Sequence, residues 1–92
     1  MARVYLNGEF VERERACVPV TDRGLLFGDS VYEVIPAFAG VPFRAAQHLA
    51  RLQRGLDAIR LDNPHTEAEW LALLARVCGE RPGEDQSLYL QV

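Results

Sequence analysis

The chain has 92 residues, of which 49% are hydrophobic, a composition typical of one small globular domain rather than a disordered segment. Its formal net charge is −3, so it lacks the clustered positive charge that a nucleic-acid surface needs. No apolar run is long enough to span a membrane, and the opening MARVYLNGEF has no apolar signal core. We therefore expect a cytoplasmic protein that binds neither nucleic acid nor membrane.

Turn residues divide the first part of the chain into short segments. Asn7-Gly8 lies between apolar residues and predicts a hairpin with strands near 3–6 and 9–12, because both turn positions tolerate positive φ. The segment 21–24, Thr-Asp-Arg-Gly, predicts a further turn, since an aspartate can bond to its own backbone and a glycine can close the loop.

A longer strand is expected next. Residues 30–38 are rich in β-forming side chains, and Gly40 ends this segment before a return strand at 41–43. Pro36 has no N–H to donate to a neighbouring strand, so we expect an edge, a bulge or an unpaired stretch at that position.

The spacing of apolar residues then changes to that of helices. A stripe at intervals of three and four predicts a helix over about 44–60, and a capping box from Thr66 to Glu69 starts a second helix that fades near Gly79. The stripe consists of Ala45, Leu49, Leu52, Leu56 and Ile59. Residues 87–92 read as a final strand. The expected fold class is α+β, a mostly antiparallel sheet with two helices packed on it.

Alternation along the long strand places Tyr32, Val34 and Pro36 on one face. A tyrosine at a sheet rim can offer its hydroxyl to a ligand, although tyrosines at such spacing are more often structural.

On the first helix, Arg51 lies about 120° from the centre of the apolar stripe at 100° per residue, at the boundary between core and solvent. Its guanidinium could form a bidentate contact with a phosphate, but most helical arginines are simply solvated.

Other residue types give weaker signals. His48 and His65 have no Cys, Asp or Glu spaced as a metal cage, so we expect no metal site. Cys17 and Cys78 stand apart without a CxxC motif, which favours free thiols. All ten basic residues are arginines, so the chain contains no lysine.

Four segments in this order carry a resemblance to a known family: VYLNGEFV, DRGLLFGDSVYEV (22–34), HLARL (48–52) and SLYLQV. They resemble the N-terminal domain of the class IV, fold type IV, pyridoxal-phosphate aminotransferases, and most closely the D-amino acid aminotransferases. The similarity runs over nearly all of the chain, and the pair DRGxxFGDxxYE and HxxRL is specific. It implies that residues 1–92 are this N-terminal domain, that the C-terminal domain is absent from the chain, and that the chain is a truncated part of a longer enzyme.

The resemblance also implies roles for three residues. The arginine of HxxRL, here Arg51, would hold the phosphate of pyridoxal 5'-phosphate. The tyrosine of the FGDxxYE segment, here Tyr32, would face the substrate carboxylate, and Val34 would line the same pocket wall. Pro36 stands where the best-known D-amino acid enzymes carry a lysine.

The family chemistry needs a lysine to form a Schiff base with the cofactor, so no catalytic residue is expected in this chain. The expected function is therefore that of the N-terminal part of a homodimeric aminotransferase that uses D-amino acids and 2-oxo acids. The alternatives are a fragment of a branched-chain aminotransferase or of an aminodeoxychorismate lyase, or a free-standing interaction module.

Overall fold

A computed structural model describes residues 3–92, which form five strands, three α-helices and one 3₁₀ turn. In chain order these are β1 (Arg3–Leu6), β2 (Glu9–Glu12), a 3₁₀ turn (Arg13–Arg15), α1 (Arg23–Phe27), β3 (Tyr32–Phe38), β4 (Val41–Pro42), α2 (Ala45–Ile59), α3 (Glu67–Cys78) and β5 (Gln86–Gln91). The predicted α+β class is confirmed. Its antiparallel strands fall into two sheets, β1–β2 and β4–β3–β5.

The predicted hairpin forms with the predicted bounds. Asn7 and Gly8 have φ values of 48° and 95°, and β1 pairs with β2 from Arg3 opposite Glu12 to Leu6 opposite Glu9. The left-handed turn matches the twist of the two strands, which explains why Asn-Gly closes it.

Strand β3 is the centre of the larger sheet, between β4 and β5. It is antiparallel to both, and Val34 lies opposite Tyr89 in β5. On the β4 side, the N–H of Phe43 donates to the carbonyl of Pro36 at 2.7 Å. Pro36 cannot return that bond, and β4 ends at Pro42. The unpaired stretch predicted at Pro36 is therefore present, although its strand is not at an edge.

The turn predicted at 21–24 is wrong in its extent, because the chain continues into the short helix α1. The side chain of Asp22 caps this helix by accepting a hydrogen bond from the backbone N–H of Leu25 at 3.3 Å. Gly28 ends it in the left-handed conformation, with φ 67°. The aspartate that suggests a turn is thus the N-cap of a short helix, and Gly24, expected to close the turn, lies inside that helix.

Helices α2 and α3 pack on one face of the larger sheet and enclose the core. Side chains of both helices, β3 and β5 form one cluster: Ile35, Ala37, Leu49, Leu52, Leu56, Trp70, Leu74, Cys78, Leu88 and Leu90. Ile59, predicted to be in the helix stripe, is 48% exposed because α2 ends there, with Arg60 left-handed at φ 58°. The capping box of Thr66 and Glu69 is confirmed.

A close approach fixes α2 against the start of β3. A Cβ atom added at Gly55 would lie 2.8 Å from a Val31 side-chain carbon, so only glycine permits this spacing without rearrangement.

Cys17 is exposed and Cys78 is buried, both as free thiols. In the described part of the chain, no helix has the length and apolar character needed to cross a membrane.

Candidate functional site

The two faces of β3 have opposite characters, as the alternation predicts. Glu33, Ile35 and Ala37 are buried beneath the helices, whereas Tyr32 and Val34 are 61% and 44% exposed on the other face. Glu33 is the exception on the buried face, because it is an acidic residue that is only 4% exposed. A carboxylate in such a position must be paired to offset the loss of hydration.

Helix α2 supplies the partners of this buried carboxylate. Arg51 donates from Nε to Oε2 of Glu33 at 2.7 Å and from Nη2 to Oε1 at 2.8 Å, a bidentate ion pair. His48 Nδ1 lies 2.6 Å from Oε1 and donates to it, because an ionised carboxylate can only accept. His48 and Arg51 are three residues apart on one helix and therefore face the same side.

The electrostatics of the cluster keep Glu33 ionised. The Arg51 hydrogen bond is the largest influence and lowers the pKa of the Glu33 carboxyl. Burial opposes it, and the smaller lowering by the His48 hydrogen bond adds to that of Arg51, so the net effect is a lowered pKa. The same contact raises the pKa of Arg51, chiefly through the hydrogen bond with Glu33 and then through its charge. The two shifts have the signs that an ion pair produces.

The ion pair leaves part of the guanidinium of Arg51 available. A guanidinium has five N–H donors, and Glu33 engages one on Nε and one on Nη2. Of the remaining three, one on Nη1 and one on Nη2 lie side by side on the Nη1–Nη2 edge, and the Arg51 side chain is 63% exposed. This edge has the parallel donor geometry that matches two oxygens of a phosphate or carboxylate. The cluster can therefore bind an anion without breaking the Glu33 contact.

The open face of the sheet carries an ordered pair of tyrosines. The rings of Tyr32 and Tyr89 stack at a centroid distance of 5.7 Å and an interplanar angle of 21°. The Tyr89 hydroxyl donates to the side-chain carbonyl of Gln91, and the amide of Gln91 donates to the Ser30 hydroxyl at 2.8 Å. Tyr32 is thus held from one side, and Val34 lies directly opposite Tyr89 in the register.

Arg51 of α2 contacts β3 through Glu33, and Tyr32 is the residue before Glu33 in that strand, but Arg51 and Tyr32 are not in direct contact. Arg51 binds Glu33, whose neighbours Tyr32 and Val34 project from the other face, and within residues 3–92 no hydrogen bond joins Arg51 to either of them. A cleft of about 1070 Å³ lies between β1, α1, α3 and β5. Arg51, Tyr32 and Val34 do not line this cleft. The candidate residues therefore lie on open surface rather than in a closed pocket.

Comparison with known proteins decides the family. The sequence pattern of "Amino-transferase class IV" matches residues 30–92, more than half of the chain, including β3, the HLARL helix and β5. The chain belongs to the class IV aminotransferases.

Several curated members of this family are similar along almost the whole chain. It is 38% identical to the D-alanine aminotransferase of Staphylococcus epidermidis over 91 residues, and 39% identical to that of Bacillus licheniformis over 90 residues. These alignments cover 99% and 98% of the chain. The chain spans about a third of the length of these curated relatives, 32% in both cases.

Solved structures place the fold in the same family. The branched-chain aminotransferase of Thermoproteus uzoniensis, crystallised with norvaline, superposes with a TM-score of 0.80 and 31% identity over 98% of this chain and 31% of that one. A fold IV transaminase from Curtobacterium pusillum gives a TM-score of 0.71 with 28% identity over 90% of this chain and 29% of that one. The expected small N-terminal domain fold of the fold type IV enzymes is confirmed.

Two residues of the candidate site, Glu33 and Tyr89, are not predicted from the sequence. The sequence does contain a signal for Glu33. Alternation places this acidic side chain between inward-facing Val31 and Ile35, where it requires a cationic partner. The sequence signal for Tyr89 is weaker, since its position beside Tyr32 depends on the register between β3 and β5. Tyr32 and Tyr89 are 57 residues apart in the chain, so their pairing cannot be predicted from either strand alone.

Proposed function

We propose that this chain is the N-terminal part of a pyridoxal-phosphate-dependent aminotransferase that transfers an amino group between a D-amino acid and a 2-oxo acid. The observation that carries the proposal is the 38–39% identity to D-alanine aminotransferases along nearly the whole chain. A homodimeric, cytoplasmic parent protein belongs to the same proposal and rests on the resemblance alone.

In this function Arg51 would hold the cofactor phosphate. Its free Nη1–Nη2 edge and its 63% exposure fit a phosphate, and the contact to Glu33 occupies only the Nε side. The cofactor, when bound, supplies an electron sink for the bond changes at the amino-acid α-carbon. The residues of this chain fit its phosphate end. The lysine that the chemistry requires is not among these 92 residues.

Tyr32 and Val34 would form the substrate side of the site. The Tyr32 hydroxyl can donate a hydrogen bond to a substrate carboxylate, and its stacking on Tyr89 reduces the entropy lost when it does so. Val34 is apolar and 44% exposed, so it can contact the substrate side chain without binding its charged groups. Both residues would orient the substrate, and neither would transfer a proton.

Branched-chain amino acids are the alternative substrate class. The superposition on the branched-chain aminotransferase of Thermoproteus uzoniensis, with a TM-score of 0.80, supports this alternative. The test is the ratio of kcat/KM for D-alanine to kcat/KM for L-leucine, with one 2-oxo acid acceptor, in the longer aminotransferase that contains this chain. We expect the ratio to exceed one by at least tenfold, whereas a preference for L-leucine would assign the protein to the branched-chain group.

A free-standing interaction module is less well supported. A small domain that is stable alone should cover its apolar surface, but the sheet here exposes large apolar side chains on the face opposite the helices. They include Tyr32, Val34, Phe38, Val41 and Tyr89. For the isolated 92-residue chain we expect no transamination after addition of pyridoxal phosphate, because it has no lysine to hold the cofactor covalently. Turnover by the purified chain would contradict this expectation.

A further inference from the structure

Glu33 is a buried acidic residue that the proposed function does not yet use. It is 4% exposed, and both of its carboxylate oxygens are engaged by α2. Burial of a charged group is costly unless its partners are fixed, and replacing such a pair with apolar residues is often neutral for stability. A role beyond stability is therefore worth seeking in what the carboxylate does to its partners.

The contact restricts the orientation of Arg51. A 63% exposed arginine would otherwise sample many rotamers, and fixing them on ligand binding costs free energy. Glu33 engages Nε and Nη2 together, which sets both the position and the plane of the guanidinium. His48 donates to Oε1 at 2.6 Å, so the carboxylate itself is held from a second direction.

The place of Glu33 in the strand links the two sides of the candidate site. It lies between Tyr32 and Val34, which project from the open face, while its own side chain reaches α2 from the opposite face. One strand segment thereby fixes the substrate-facing tyrosine and the orientation of the arginine.

We propose that Glu33 is a positioning residue for the cofactor phosphate, holding the Nε side of Arg51 so that its Nη1–Nη2 edge is presented to the phosphate. This inference rests on the proposed function, because it takes Arg51 as the phosphate ligand. His48 supports the same arrangement by fixing the carboxylate.

The test compares two ligands that differ only in the phosphate group. Dissociation constants of pyridoxal 5'-phosphate and pyridoxal are measured by absorbance titration of the longer aminotransferase, and their ratio gives the phosphate preference. The variants are R51A, E33Q and the double variant R51A/E33Q. E9Q is the matched control, because it makes the same chemical change at an exposed position of β2. Thermal melting confirms folding, and E33D, which keeps the charge but shortens the reach, replaces E33Q if E33Q is unfolded.

We expect R51A to lower the phosphate preference by about tenfold or more and E33Q to lower it by roughly tenfold, with pyridoxal affinity unchanged. The double variant should resemble R51A, because Glu33 acts through Arg51. An E33Q preference equal to that of E9Q, or effects that add in the double variant, would overturn the role of Glu33 while leaving Arg51 as the phosphate ligand. An unchanged preference in R51A would overturn the assignment of Arg51 and this inference with it.

Discussion

The side chain of Glu33 connects the chemistry of the candidate site with the stability of the domain. Sequence patterns correctly separated the two faces of β3 and placed Arg51 at the border of core and solvent. They did not identify Glu33 as its partner, because that pair joins a strand to a helix 18 residues away. Residue spacing within one element predicts which way a side chain points, whereas its partner depends on how two elements pack.

The ion pair at Glu33 predicts a pH dependence of folding. The folded-state pKa of this carboxyl is lowered, first by Arg51, from its ordinary value of about 4.3. A lowered pKa contributes stability that is present above the ordinary value and is lost as the pH falls through the folded-state pKa. We expect Glu33→Gln to reduce the free energy of unfolding by about 1–2 kcal/mol at pH 7 and by less at pH 3.

Urea denaturation of the unsubstituted protein and of the Glu33→Gln variant, at pH 7 and at pH 3, measures the change in the free energy of unfolding. The control is Glu9→Gln on exposed β2, for which the free energy of unfolding should change little at either pH. A loss that is equally large at pH 3 and pH 7 would show that the Glu33 charge is not responsible.

The Tyr32 hydroxyl is predicted to act on the substrate rather than on the cofactor. In the longer aminotransferase, Tyr32→Phe should lower kcat/KM for a D-amino acid by about tenfold or more, the effect of a lost hydrogen bond to a charged group. Affinity for pyridoxal phosphate should be unchanged, since Tyr32 and the Arg51 contact with Glu33 lie on opposite faces of β3. Tyr5→Phe on β1 is the matched control. Steady-state kinetics and cofactor titration separate the two effects, and loss of cofactor affinity alone would contradict the substrate role.

Individual elements were predicted best where local chemistry determines them. The hairpin at Asn7-Gly8 and the capping box at Thr66 each depend on a few neighbouring residues, and both form as expected. The helix α1 was not predicted, because its Asp22 cap and Gly28 end are the residue types that also make turns. A short helix differs from a loop here only in the backbone hydrogen bonds formed by the residues between Asp22 and Gly28.

The Thr66 cap predicts a measurable contribution of α3 to stability. The Thr66 hydroxyl accepts a hydrogen bond from the backbone N–H of Glu69 at 3.2 Å, and Glu69 Oε1 accepts one from the N–H of Thr66 at 2.8 Å. Thr66→Ala removes the first of these and should lower the free energy of unfolding by about 1 kcal/mol. Thr66→Ser retains the hydroxyl and is the matched control. Chemical denaturation checks both variants, and equal losses would indicate that the cap is not the cause.

At the scale of the whole molecule, the sequence indicated the α+β class and the family, but not the division of strands into two sheets. Separating β1–β2 from β4–β3–β5 depends on which strands pair over long sequence distances, which local spacing does not encode. The open face carries Tyr32 and Tyr89, and the exposed edge of Arg51 lies on the helix side of β3. In the proposed function, this chain would contribute the contact to the cofactor phosphate and one side of the substrate site.

A crystal structure of the longer aminotransferase with pyridoxal phosphate bound tests that assignment most directly. The account predicts phosphate oxygens about 2.7–3.2 Å from Nη1 or Nη2 of Arg51, with the Glu33 contact intact and Tyr32 facing the substrate side. A phosphate held entirely by other residues, with Arg51 turned to solvent, would contradict it.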